Sequence, residues 1–276
     1  MPEGVSGYPR WKGPLSSGPA APTIAAEEWR RALRSMWVQV ALILVLAYAV
    51  IYLGSLRSLA SARSVASAHT WDNFLGFLNI VRWGAVMVAA VMAGPALLED
   101  KRRGALELYL ARAIRARDYM AGKVLAIFSL SALAVIGPGL IYWVGAFFLF
   151  DKQPTGWEYV PLGVVGYGLM WAMLVTGLGL GLSSVARSSR AATIALAGAF
   201  VVADVVVSNL LAGVTRDENW RVLSPLAALG QQVEWLFPGS KAPFPFPAWW
   251  GLLAWVALVG IGWGLVAWKR PRLAGG

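Results

Sequence analysis

The sequence predicts an all-α membrane protein, with six transmembrane helices preceded by a cytoplasmic interfacial amphipathic helix and both termini in the cytoplasm. Three observations predict it. The 276 residues are 58% hydrophobic and only 14% charged, whereas soluble chains are nearer a quarter charged. No soluble core of this size hides so much apolar surface, so a second apolar solvent is implied. The apolar residues run in six continuous stretches, each long enough to cross a hydrocarbon core, which takes about 20 helical residues. Finally, the basic residues divide unevenly between the two sides that those stretches define.

Residues 1–22 are rich in Pro, Gly and Ser, and no apolar run precedes Trp37. A secretory signal needs a charged start and then an apolar core, so this segment reads as a disordered cytoplasmic tail. Over residues 23–36, Ala25, Trp29, Leu33, Met36 and Trp37 share one helical face, with Glu27, Arg30, Arg31 and Arg34 opposite. That pattern predicts an amphipathic helix on the inner leaflet, leading into the first span. The spans are placed near 37–56, 78–98, 124–149, 160–182, 191–212 and 248–268. Lipid offers backbone groups no partner, so each run is a helix. Their continuous rather than alternating apolarity excludes barrel strands. The cytoplasmic loop 99–123 is too long and too charged for a mere turn. In the outer loop 215–247, Pro225 and Gly230 interrupt residues 220–237, which predicts short interfacial or re-entrant helices rather than a seventh span. Residues 269–276 make a cytoplasmic tail.

Orientation follows from charge. Of the 24 Lys and Arg, seven fall on one side: Arg57, Arg63, Arg82, Lys152, Arg216, Arg221 and Lys241. The other seventeen lie opposite, including Arg30, Arg31, Arg34, the cluster over 101–123, Arg187, Arg190 and Lys269. The positive-inside rule puts the richer side in the cytoplasm. The net charge of +10 is thereby topology and does not point to nucleic acid. Trp37, Trp71, Trp157, Trp220, Trp235, Trp249, Trp250 and Trp268 fall at or near the ends of the spans, where amphipathic rings favour the headgroup layer. With no cysteine and a single histidine, His69, neither a thiolate nor a histidine metal site is supported, and no catalytic group is assigned.

The inner loop reads Glu99-Asp100-Lys101-Arg102-Arg103-Gly104-Ala105-Leu106-Glu107-Leu108-Tyr109-Leu110-Ala111-Arg112 and closes on Gly122-Lys123. Leu106, Tyr109, Leu110 and Ala113 recur at helical spacing, flanked by Arg103, Glu107 and Arg112. A short amphipathic helix of this kind either docks in a groove on a partner and passes on its movement or rests on the lipid surface. The loop resembles the one after the second span in ABC-2 type transporter permeases, where an acidic-basic run meets Gly-Thr-Leu-Glu, a leucine-rich turn, a basic segment and a closing Gly-Lys. Ala105 stands where Thr is usual and Ala113 where Pro is common. The surface helix, the six spans and the helical last outer loop are similar too.

The resemblance implies the permease half of a dimeric exporter in the cell (inner) membrane, paired with a second copy or a related chain. It also implies a separate ABC-type ATPase subunit that binds ATP and Mg²⁺. The coupling residues it implies are Glu99, Arg103, Gly104, Leu106, Glu107, Tyr109 and Leu110. The chain has no Gly-x-x-x-x-Gly-Lys-[Ser/Thr] phosphate loop of its own, so it binds no cofactor by that route and is not expected to be an enzyme.

Two ionisable residues stand inside apolar runs: Arg82 near the outer end of the second span and Asp204 in the fifth. A buried ion in hydrocarbon costs roughly 3 kcal/mol or more, so both are expected to face protein or water. Either they pair along the translocation path or dimer seam, or Arg82 snorkels to the headgroups and Asp204 is satisfied locally. Gly177, Gly179, Gly181, Gly260 and Gly264 are expected at close helix contacts, and Pro138 at a kink. The rival function is a proton-coupled secondary transporter centred on Asp204, which would normally carry the inverted repeats that are not visible here.

Overall fold

The computed structural model describes residues 20–62, 70–98, 100, 116–241 and 243–274. Among these, no strand forms. The helices are α1 (Ala20–Arg34), α2 (Met36–Ala62), α3 (Trp71–Ala96), α4 (Ala116–Leu149), α5 (Val160–Val185) and α6 (Ser189–Val201). A π-helical stretch, Val202–Leu210, continues α6 into α7 (Leu211–Thr215). Two short helices, α8 (Pro225–Gly230) and α9 (Val233–Leu236), precede α10 (Ala248–Ala274). Among the described residues, six segments are long and apolar enough to cross a membrane: Met36–Ser58, Trp71–Ala96, Arg117–Leu149, Trp157–Val185, Ser189–Thr215 and Ala248–Trp268. The protein is a multi-pass membrane protein.

Two spans start earlier than hydropathy places them. Thr70 caps α3, its hydroxyl oxygen accepting from the Asn73 amide at 3.4 Å. This cap satisfies an end donor, so Asp72 and Asn73 join the helix despite breaking the apolar run. Arg82 consequently sits eleven residues from Trp71 and fourteen from Ala96, or ~16 Å and ~21 Å along the axis, well inside the span rather than near its end. The helix of the third span begins at Ala116, so part of the segment read as loop is helical. It runs on through Pro138 to Leu149.

The centre of the bundle is α5. Of its most apolar stretch 61% is buried, against 12% in the fifth span. Glycine brings its neighbours close. A methyl at Gly181 would lie 2.7 Å from the Gly262 carbonyl oxygen on α10, and one at Gly179 would lie 2.5 Å from the Ala93 methyl on α3. Gly260 and Gly264 meet nothing within 4 Å, so the α10 contact runs through Gly262 instead. The interleaving is a packing requirement, since interiors have no room for an added methylene.

An aromatic cluster closes the predicted outer end. Phe77 stacks on Tyr142 with ring centres 4.5 Å apart, and Phe74 meets Tyr142, Trp157 and Phe237. The short helix α8 is buried along its whole length. Gln231 and Gln232 hold the returning chain: their amide nitrogens donate to the carbonyls of Phe244, Phe246 and Ala248. Gly239, at φ 94°, lets this loop lie against the Thr155 carbonyl, a backbone shape that side chains other than glycine rarely adopt.

Candidate functional site

Two polar clusters stand out against the apolar bundle. The first joins α1 to the residues at either end of the segment 99–123. Lys123 Nζ lies 2.8 Å from Glu28 Oε1 and 2.7 Å from Asp100 Oδ2. The Tyr119 hydroxyl donates to the same Asp100 oxygen at 2.7 Å. Arg31 closes the cluster, its Nη1 3.2 Å from Glu28 Oε1 and 3.6 Å from Asp100 Oδ1. Two carboxylates and two cations balance, which lets Lys123 be only 1% exposed; a buried charge is tolerated when it is paired and hydrogen-bonded.

Glycine makes the cluster possible. A methyl on Gly122 would lie 2.7 Å from Ile24 Cβ and 2.8 Å from the Ala21 carbonyl oxygen, so α1 reaches α4 only over a residue without a side chain. Trp29 adds a hydrogen bond from its indole nitrogen to Ser129 Oγ at 2.8 Å. The Gly122-Lys123 pair that the sequence singled out thus gains a physical reason, one residue giving approach and the next giving charge. The face of α1 that packs is Ile24, Ala25, Glu28, Trp29 and Ala32. The expected apolar face is split, because Leu33, Met36 and Trp37 are exposed.

The expected coupling residues Glu99, Arg103, Gly104, Leu106, Glu107, Tyr109 and Leu110 lie outside the described residues. What the structure places are the supports on either side, Asp100 before them and Tyr119, Gly122 and Lys123 after.

The second cluster gathers on α8. Arg82 is 8% exposed. Its Nε donates to the Asn79 carbonyl at 3.1 Å and its Nη1 to the Leu226 carbonyl at 2.8 Å. The Ser224 hydroxyl donates to Asp204 Oδ1 at 2.8 Å, while its oxygen accepts from the Leu226 and Ala227 amides and caps α8. Arg82 and Asp204 therefore do not pair with each other. They hold the first turn of α8 from two sides. Asp204 belongs to the π-helical stretch of the fifth span; such widened turns are rare and frequent at functional sites.

Glu28, Asp100, Tyr119 and Ser224 were not assigned from sequence. Ser224-Pro225 carries a legible helix-start signal, but Glu28 and Asp100 each look like one more charge in a polar segment. No group of three or more His, Cys, Asp or Glu side chains among the described residues is placed to hold a metal ion.

Comparison with known proteins agrees with this geometry. A family model described as ABC-2 family transporter protein matches residues 22–268, well over half of the chain. No curated protein matches it.

Proposed function

The chain belongs to the ABC-2 family of transporter proteins, and on that premise we propose that it is the permease subunit of an ATP-driven exporter in the cell (inner) membrane. It forms the translocation path as a dimer, with a second copy or a related chain, and works with two separate ATPase subunits that carry ATP and Mg²⁺. The observation that supports the coupling reading best is the clamp around Lys123. It ties both flanks of the inner loop to α1 and to the ends of α3 and α4. Force applied to the loop therefore reaches three elements at once.

In this reading Glu99, Arg103, Gly104, Leu106, Glu107, Tyr109 and Leu110 form the surface that docks on the ATPase. ATP binding draws the two ATPases together, the loop carries that motion inward, and the spans rearrange to pass cargo outward. Arg82 and Asp204 lie along the path or the dimer seam. A second copy is supported by the fifth span, whose Ile194, Val205, Leu210 and Val214 are exposed. Replacing Leu106 and Leu110 together by Asp tests the coupling role: the purified variant is expected to retain its own fold but lose the ATPase subunit. Undiminished ATPase recovery would remove the loop from the interface.

One observation favours a second reading. Asp204 is held by a hydroxyl rather than a cation inside a π-helical stretch, an arrangement suited to a proton-coupled secondary transporter.

A further inference from the structure

The hydrogen bonds of Arg82 go to neutral oxygens, the carbonyls of Asn79 and Leu226, and Tyr167 lines the same cavity. No carboxylate among the described residues comes within 4.0 Å of it, and Asp204 is turned to Ser224. Carbonyls satisfy the geometry of a guanidinium but leave its charge uncancelled, and its five N–H donors outnumber these acceptors. An uncompensated cation inside a span is costly, and residues that bear such a cost mark ligand paths.

A cavity opens beside it. About 190 Å³ in volume, it is lined by Leu75, Leu78, Asn79, Arg82, Tyr167 and Phe244, among others. Phe244 also carries the guanidinium of Arg221 on its ring at 5.8 Å, but that charge has a carboxylate partner in Glu218 at 3.9 Å, so Arg82 is the cation that the cavity offers. The volume falls below the roughly 300–1,000 Å³ of sites that enclose a whole drug-sized ligand. It suits a head group, with the rest of the molecule left to the apolar surroundings.

We propose that Arg82 and this cavity form a binding site for the anionic head, a phosphate or carboxylate, of an amphiphile with an apolar tail. Arginine suits such a group because its planar fork matches the paired oxygens of either anion. The apolar walls of Leu75, Leu78 and Phe244 take the first carbons of the tail. Binding requires neither ATP nor a partner subunit; calling the ligand cargo rests on the permease reading, but the site itself does not.

The test uses the full chain purified in an uncharged detergent, with thermal unfolding followed against added phosphatidylglycerol, phosphatidylcholine and inorganic phosphate. Phosphatidylglycerol is expected to raise the midpoint saturably and phosphatidylcholine to leave it unchanged. Arg82→Gln removes the charge and is expected to abolish the rise. Asn79→Asp guards against simple misfolding, since Asn79 is exposed and holds Arg82 through its carbonyl. It keeps Arg82 in place and sets a competing carboxylate on the cavity wall, and is expected to weaken binding roughly tenfold or more. Inorganic phosphate raising the midpoint by itself, again sensitive to Asn79→Asp, identifies a site for the free anion; no response to it identifies a site that needs the tail. Equal shifts with both lipids, or a phosphatidylglycerol shift that survives Asn79→Asp, would overturn the proposal. Either failure leaves the ATPase partnership untouched, because no ATPase is present.

Discussion

Lys123 shows how much a single buried charge controls. Its ammonium is the shared partner of Glu28 and Asp100, so among the described residues Lys123→Met leaves the two carboxylates with Arg31 and the Tyr119 hydroxyl. Breaking a buried pair from one side costs about 3–5 kcal/mol, and solvent screening gives little relief where the side chain is 2% exposed. The detergent-purified variant is expected to unfold at a clearly lower temperature than the wild type; an unchanged midpoint would mean that the cluster contributes no stability. Gly122 and Lys123 were legible in the sequence as the closing Gly-Lys of the loop that resembles the family's. Their partners were not, because Glu28 lies 95 positions away and hydropathy carries no information about which distant charge answers which. Arg82 and Asp204 were legible for the opposite reason, as isolated ions in apolar runs. That they meet on α8 rather than each other depends on how deeply the segment between the fifth and sixth spans returns, and sequence periodicity does not encode that depth.

Among the elements, α5 and α10 make the contact most sensitive to added volume. Gly262 faces the Gly177 carbonyl carbon and the Leu178 amide, both backbone atoms that have nowhere to move. Gly262→Val is therefore expected to destabilise the bundle by roughly 1–3 kcal/mol through overpacking, whereas Gly260→Ala and Gly264→Ala, which point into open space, are expected to leave the unfolding midpoint unchanged. Thermal unfolding of the three variants side by side separates these outcomes. Sequence spacing singled out Gly260 and Gly264 on the sixth span, whereas the close contact within this chain falls on Gly262, since small-xxx-small spacing fits several registers and only the partner helix selects one. The starts of the second and third spans differ for a related reason. Hydropathy marks where lipid-like residues stop, while caps such as Thr70 and charge clusters such as that at Lys123 decide where the helix stops. A helix forms over nearly the residues expected for the amphipathic segment, yet its packing face is rotated toward Glu28, because a charge with partners can face inward.

Taken whole, the molecule has a buried centre, α5, and spans on its periphery that keep most of their surface exposed. The first and sixth spans are each 22% buried and the fifth 12%. Lipid covers such surfaces, and so does a second copy. The all-helical class and the six crossings follow directly from composition and run length, which is why they were readable without coordinates. Family membership rests on a match over residues 22–268, and the residues that suggested it, from Glu99 to Lys123, are the ones whose flanks the structure clamps. The central question for this permease is whether it works with an ATPase. Tagged chain purified from its host in mild detergent, followed by mass spectrometry and an ATP hydrolysis assay in lipid, decides that directly. An ATP-binding subunit in amounts equal to the permease, and ATP hydrolysis by the pair, are expected. A chain that purifies alone and hydrolyses no ATP would contradict that expectation and favour a secondary transporter built around Asp204.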